Sequence, residues 1–278
     1  MSRYLRQIAF CAGVLAIAGC NNIHPPTAPS GPLSPSTSQR AALALLDAAN
    51  IHASIAASPL TWAAPDGRVN WTNGSCDGNG SLQASLDGGL PPDSGTFLPT
   101  GSHAYVVAFS NCTMGFFTTL NGVASAAYTA AEWSNVTATV SADSVRGQYL
   151  NSLSELYDVT ADGSAVWTRV GSGSSTRTWT YTPATGSRLV NNLTTNVATF
   201  GGGAYSTIPT SERWERRFDN LKVAINGTEY TLNGSLYYPG GSTYGEVRIT
   251  NNGTLVARIY GGVGDAPSVE VLVPLGPF

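Results

Sequence analysis

Leu221-Lys222-Val223-Ala224-Ile225-Asn226-Gly227-Thr228-Glu229-Tyr230-Thr231-Leu232 decides the fold. Two alternating runs flank Asn-Gly, the pair that most readily takes the two positive φ values of a type I′ turn. A two-residue loop places Val223 opposite Tyr230 and Leu221 opposite Leu232, all on one face. Lys222 and Glu229 then sit diagonally on the other. Turn chemistry and hydrophobic pattern demand the same register, so this stretch is predicted as an antiparallel hairpin.

The same grammar extends outward. His103-Ala104-Tyr105-Val106-Val107-Ala108-Phe109 alternates bulky and small residues, as a strand buried on one face does. Similar runs occur at Ser81–Leu86, Phe116–Leu120, Ala126–Ala131, Val136–Ser141, Gln148–Val159, Ala165–Val170, Arg177–Thr182 and Leu189–Thr199. Turn signals punctuate them at Asn121-Gly122, Asp162-Gly163, Pro239-Gly240-Gly241 and Asn252-Gly253. Short strands at this spacing predict an all-β fold: a large antiparallel meander whose curved sheet is barrel-like or two-layered. In the hairpin Glu246–Arg258, a three-residue loop Asn251-Asn252-Gly253 sets Ile249 opposite Leu255 and Val247 opposite Ala257. It is preferred to the two-residue loop, which mixes faces by setting Val247 opposite Arg258. A short internal echo is also visible. Phe109-Ser110-Asn111 precedes Leu120-Asn121-Gly122, and Phe218-Asp219-Asn220 precedes Leu232-Asn233-Gly234. Duplication and shared turn chemistry both explain it.

One helix is predicted at the N-terminal side. Ser36 or Ser38 can cap it, Ser58-Pro59 should end it, and Ala42, Leu45, Leu46, Ala49, Ala53 and Ala56 form one apolar stripe. Small residues in that stripe imply close packing on a sheet. Before the helix lies a Pro/Ser-rich stretch that cannot pack and is expected to act as an extended tether. Before the tether, Arg3 and Arg6 precede an apolar run from Ile8 to Ala18, too short to span a bilayer. Ile17-Ala18-Gly19-Cys20 resembles the lipobox of bacterial lipoproteins. That resemblance implies cleavage after Gly19, acyl chains such as palmitate on Cys20, and membrane attachment outside the cytoplasm. Several chains give stable anchoring where one would not. Asn21, being other than Asp, implies sorting to the outer membrane. The expected organisation is a leader at 1–19, anchor and tether at 20–37, helix at 38–58 and a β domain at 59–278.

The chain has 14 Lys and Arg against 17 Asp and Glu; without Arg3 and Arg6 in the leader, 12 basic residues remain and the net charge is −5. No basic patch or nucleic-acid motif is present, so nucleic acid is not an expected partner. With Cys11 in the leader and Cys20 acylated, Cys76 and Cys112 are expected to pair in an oxidising compartment. No metal or cofactor is expected. Asp77-Gly78-Asn79-Gly80-Ser81 looks briefly like a calcium loop, but Leu82 and Gly88 stand where Gly and a bidentate Glu belong. Phe278 resembles the terminal aromatic of outer-membrane barrels, yet Pro274 and Pro277 interrupt the regular strand they require.

Catalytic signals are sparse. No Gly-x-Ser-x-Gly elbow occurs, and His103 lies within a strand. Glu155, Asp158, Asp162, Glu212, Glu215 and Asp219 could supply the carboxylate pair of a glycan hydrolase, though surface charge explains them as well. Two stretches could form a binding surface, the first of which a solvated sheet face with cross-strand ion pairs explains more simply. Ser211-Glu212-Arg213-Trp214-Glu215-Arg216-Arg217 would set Arg213, Glu215 and Arg217 on one strand face and Trp214, Arg216 and Phe218 on the other. Trp133, Trp167, Trp179 and Tyr181 could form a sugar-stacking platform, although in a sheet such residues are more often core or cross-strand pairs. The expected function is a non-enzymatic structural or binding role in the cell envelope, with a glycan, lipid or protein partner. The alternative is an envelope-polymer or glycan hydrolase.

Overall fold

The computed structural model describes residues 36–64, 66–70, 76, 78–90, 93–150, 155–171, 177–209, 214–238, 243–261 and 267–275. The leader, Cys20 and the tether up to residue 35 lie outside them; Ser36 and Thr37, expected in the tether, form the cap and first residue of the helix. A helix α1 (Thr37–Ala56) and a π-helical turn (Pro59–Ala63) come first. Thirteen strands follow: β1 (Ser81–Leu86), β2 (Gly101–Met114), β3 (Phe117–Glu132), β4 (Asn135–Leu150), β5 (Leu156–Val170), β6 (Thr178–Pro183), β7 (Arg188–Asn191), β8 (Val197–Pro209), β9 (Trp214–Ile225), β10 (Thr228–Tyr238), β11 (Tyr244–Asn251), β12 (Thr254–Tyr260) and β13 (Ser268–Val271). All pair antiparallel in one sheet whose spatial order follows the sequence, with β7 set between β5 and β8.

The capping serine is Ser36. Its hydroxyl accepts the Gln39 N–H at 3.2 Å, and the Gln39 side chain accepts the Ser36 N–H at 2.8 Å, a capping box. Ser38 instead stitches the far end of the chain to the helix start, accepting the Leu275 N–H at 3.2 Å. The expected apolar stripe understates the burial. Ala41, Ala44, Ala48, Ile51, His52 and Ile55 are buried as well. From Ala41 onward the partly open positions are Leu43, Asp47, Asn50, Ala53 and Ser54, so Ala53 of the expected stripe is only partly buried. A helix apolar nearly all round has to be enclosed. The sheet does this, with β3, β4, β5, β7, β8, β12 and β13 all reaching α1.

Strands as long as these enclose a helix only if they bend. Three strand pairs bend by the same device. In β2, β4 and β9 the residues Asn111, Ser144 and Asn220 take φ of 49°, 49° and 48°. Each backbone N–H is accepted by a side chain of the next strand: Asn121 Oδ1 at 2.8 Å, Asp162 Oδ1 at 2.7 Å and Asn233 Oδ1 at 3.1 Å. The residue after each acceptor, Gly122, Gly163 or Gly234, also has positive φ. The pairing register shifts at these points. These are β-bulges, which bend a strand and raise its twist. They also rephase the burial. Inward residues fall three apart on one strand (Phe109 and Cys112, Ala142 and Val145, Phe218 and Leu221) and four apart on the next (Leu120 and Ala124, Ala161 and Ala165, Leu232 and Leu236). β6 and β7 are two halves of one strand, parted at the same line by Ala184–Ser187. There Ser187 Oγ accepts the Ser164 N–H at 3.1 Å and donates to Ser164 O at 2.7 Å.

The all-β meander with one packed helix is therefore what forms, and the founding hairpin has the expected register, Val223 to Tyr230 and Leu221 to Leu232. Several finer expectations are corrected. Asn121-Gly122 and Asp162-Gly163 are mid-strand bulges and not turns, so the segments on either side of each merge into one strand. Gln148–Val159 is two strands, and Leu189–Thr199 breaks at Asn192. The hairpin of β11 and β12 has a two-residue loop after all, with Asn251 opposite Thr254 and both Asn252 and Gly253 at positive φ. A register shift between Ile249 and Thr250 then sets Val247 opposite Ile259 and Ile249 opposite Ala257, so both Val256 and Ala257 are buried. The bulge removes the face conflict that had argued for a longer loop. The phrase Phe-x-Asn followed by Leu-Asn-Gly recurs as bulge chemistry, with a third copy, Ala142-Asp143-Ser144 and Ala161-Asp162-Gly163, that residue identity had hidden.

Cys76 and Cys112 form a disulfide with a Cα–Cα distance of 5.6 Å. It ties the segment before β1 to β2 beside the Asn111 bulge, and closing such a loop contributes about 3–4 kcal/mol. Outward positions carry paired hydroxyls: Ser125 with Ser141 at 2.7 Å, Ser102 with Thr129 at 3.0 Å and Thr180 with Ser206 at 3.0 Å. A membrane-spanning barrel carries an outward apolar band instead; Pro277 and Phe278 lie outside the described residues.

A Cβ at Gly234 would stand 2.1 Å from Glu246 O at a φ of +121°. Gly234→Ala should therefore lower the unfolding free energy by about 2–4 kcal/mol. Asn233→Ala, which removes only the acceptor, should cost about 1 kcal/mol. Urea unfolding measures both.

Candidate functional site

Where the partly open stripe of α1 meets the sheet, β5, β6 and β8 bring aromatic residues into register. Trp167 stands opposite Tyr181, and Tyr181 opposite Tyr205. In the adjacent row Trp179 stands opposite Thr207. These five form one side of a small open pocket of about 70 Å³; Asn50, Ala53 and Ser54 of α1 and Thr61 and Trp62 of the π-helical turn form the other. Strand periodicity puts the aromatic residues on one face, and helical spacing puts Asn50 and Ser54 on one stripe. Trp167 and Trp179 lie 6.3 Å apart at 51°, so they make a concave wall and not a flat platform.

The polar groups of the pocket are ordered. Tyr205 OH donates to Asn50 Oδ1 at 3.1 Å and accepts from Thr207 Oγ1 at 3.3 Å. No Asp, Glu, Lys or Arg is among the lining residues. The indole N–H groups of Trp62 and Trp179 are buried without an acceptor among the described residues.

Beneath the pocket lies a fully buried histidine, His52. Its Nε2 meets Asp162 O at 3.0 Å, and its Nδ1 meets Tyr181 OH. The carbonyl can only accept, so Nε2 carries the proton and Nδ1 accepts from the phenol. Burial pushes the His52 pKa down to about 4, against small opposing effects of Asp162. Burial also raises Tyr181 well above the usual phenol range, so Tyr181 stays a donor. Helix, sheet bulge and pocket wall thus meet at one neutral imidazole.

The other expected site residues lie elsewhere. Trp214 stacks on Tyr238 at 4.1 Å and 12°, and Arg216 lies 4.8 Å over the Trp214 ring and 3.7 Å from Asp47 of α1. This face anchors the helix. Glu215 and Arg217 pair at 2.9 Å on the opposite face. Arg213 and Glu212 lie outside the described residues. Trp133 donates its indole N–H to Leu98 O at 2.9 Å and does not line the pocket. The proposed surface therefore separates: Trp167, Trp179 and Tyr181 come together, whereas Trp214 and Arg217 serve other contacts. Asn50, Ser54, Trp62, Tyr205, Thr207 and His52 were not singled out from the sequence. The polar positions Asp47, Asn50 and Ser54, spaced three and four apart in an otherwise apolar helix, were the available signal.

His103 Nδ1 lies 2.7 Å from Asp87 Oδ2 and Nε2 lies 3.1 Å from Thr100 O, contacts that raise the His103 pKa, Asp87 foremost. Asp87 also accepts the Ala104 N–H at 2.8 Å, so the pair braces a turn. A polar recess of about 300 Å³ is lined by Asn111, Thr119, Asn121, Arg146 and Gln148, the last two of which contact Asp158. Asp158 accepts from Arg146 Nε at 2.8 Å, from Gln148 at 2.9 Å and from Asn192 at 2.7 Å, Arg146 foremost in holding its carboxyl far below the usual range. No group of three metal-ligating side chains occurs among the described residues. No protein-family model, curated protein or solved structure matches the chain.

Because the folded-state pKa of His52 is depressed, the unfolded chain binds a proton between pH 6.5 and about 4 that the folded chain refuses. The stability due to neutral His52 is complete above pH 6.5 and falls as pH drops through that window, by about 3 kcal/mol in all. His52→Gln should be less stable at neutral pH but should lack this component of acid sensitivity. Unfolding free energies of both proteins from pH 7 to pH 4 provide the comparison.

Proposed function

We propose that the protein is a lipid-anchored binding protein of the bacterial cell envelope, attached to the outer membrane through Cys20. Residues 21–35, rich in proline, would reach up to about 45 Å from the membrane if extended at ~3.1 Å per residue. The observation that carries the binding role is the aromatic pocket between α1 and strands β5, β6 and β8. Small-molecule sites are typically concave and apolar, with a few fixed polar groups, and this pocket has that composition.

The hydrolase reading draws no comparable support. Asp158 is held by Arg146, Asp162 by Ser144 and Arg188, Glu215 by Arg217, and Glu155 pairs with Arg40. Hydrogen bonds and arginine partners hold the Asp158 and Asp162 carboxyls below the usual range, which makes them poor proton donors, and none of the four lines the aromatic pocket.

Anchoring is tested in a Gram-negative host fed a traceable palmitate. The wild-type chain should incorporate label and sediment with outer membrane, whereas Cys20→Ala should do neither. Unlabelled wild-type protein in the soluble periplasmic fraction would contradict the anchor.

A further inference from the structure

We propose that the aromatic pocket binds a neutral saccharide, with a sugar ring seated against Trp167 and Trp179. The proposal rests on the binding-protein reading and names its ligand class. A pyranose has C–H groups on its faces and hydroxyls around its edge. It therefore needs aromatic faces for the first and neutral hydrogen-bonding groups for the second. The pocket supplies both: two tilted indoles on the sheet side, and Asn50, Ser54, Thr61 and Thr207 around them.

Two features favour a sugar over other occupants. First, the lining carries no charged side chain. An acidic glycan, a phosphate or an amine would lose its hydration with no opposite charge to meet it, a cost of several kcal/mol. Second, the polar groups are positioned in advance. Tyr205 OH occupies Asn50 Oδ1, which turns the Asn50 amide so that its NH2 has no protein partner among the described residues and is left for a ligand oxygen.

The test uses the mature chain with Cys20→Ala, 15N-labelled, and reads the indole N–H resonances. The probes are the neutral trisaccharides of glucose and of N-acetylglucosamine, with dodecanol as the apolar comparison. Saturable shifts of Trp62, Trp167 and Trp179 with a trisaccharide, and not of Trp214, are expected. Asn50→Ala should then weaken binding about tenfold, and Tyr205→Phe, which frees Asn50 Oδ1 but keeps the ring, should weaken it by a smaller factor. Trp179→Ala should abolish it, and the two milder variants keep the test readable if that protein fails to fold. Shifts of the pocket indoles with dodecanol alone would overturn the saccharide while leaving a binding pocket in place. Shifts with no probe, or sugar-induced shifts confined to indoles outside the pocket, would overturn the saccharide site, and the first of these would remove the binding reading with it.

Discussion

The structure depends on one constraint: a helix buried nearly all round has to be wrapped. Ala41, Leu45, Ala48, Ile51, His52 and Ile55 cannot all face one flat sheet. Burying them requires strands that turn around α1, and regular β-structure resists so tight a turn. The bulge row at Asn111, Ser144 and Asn220, with the break at Ala184–Ser187, supplies it. Each bulge would leave a backbone N–H unpaired, and each next strand offers an Asn or Asp oxygen to that group. The curvature is thus written as local hydrogen-bond chemistry repeated across the sheet.

Enclosure has a second consequence. A wrapped helix turns its few polar side chains toward a confined space. Asp47 reaches Arg216 beside the stacked rings of Trp214 and Tyr238, and Asn50 reaches Tyr205. His52 closes a neutral contact with Asp162 O at the bulge row and with Tyr181 in the pocket wall. Helix position, sheet bend and pocket shape are therefore coupled through named contacts. The proposed ligand would sit at the partly open stripe, beside a Tyr181 ring that His52 holds from behind.

The fold class was legible because hairpins are local. Leu221–Leu232 specified both turn and register, and the capping box at Ser36 was readable as one of two candidates. The bulges were not legible as such, because a bulge and a turn use the same residues for the same reason. Asn121-Gly122 supplies positive φ whether the chain reverses or only kinks. The difference lies in the inward residues, Leu120 and Ala124 four apart against Phe109 and Cys112 three apart, which shows only when two strands are compared. The β11–β12 hairpin misled in the same way, since Val256 restores the burial phase that a two-residue loop disturbs. At the pocket, Trp167, Trp179 and Tyr181 were visible as aromatic positions on neighbouring strands. Trp62 was not, because it follows Pro59 in a turn without periodicity, and Trp214 misled because strand alternation does not say which face meets the helix.

Native-state hydrogen exchange tests most directly the claim that the sheet encloses α1. Amides from Ala44 to Ile55 should exchange only through global unfolding, with the same free energy and denaturant dependence as the central amides of β3, β4 and β5. Helix amides that open at a distinctly lower free energy while those strands stay protected would show a helix lying on the sheet surface, and would contradict the account.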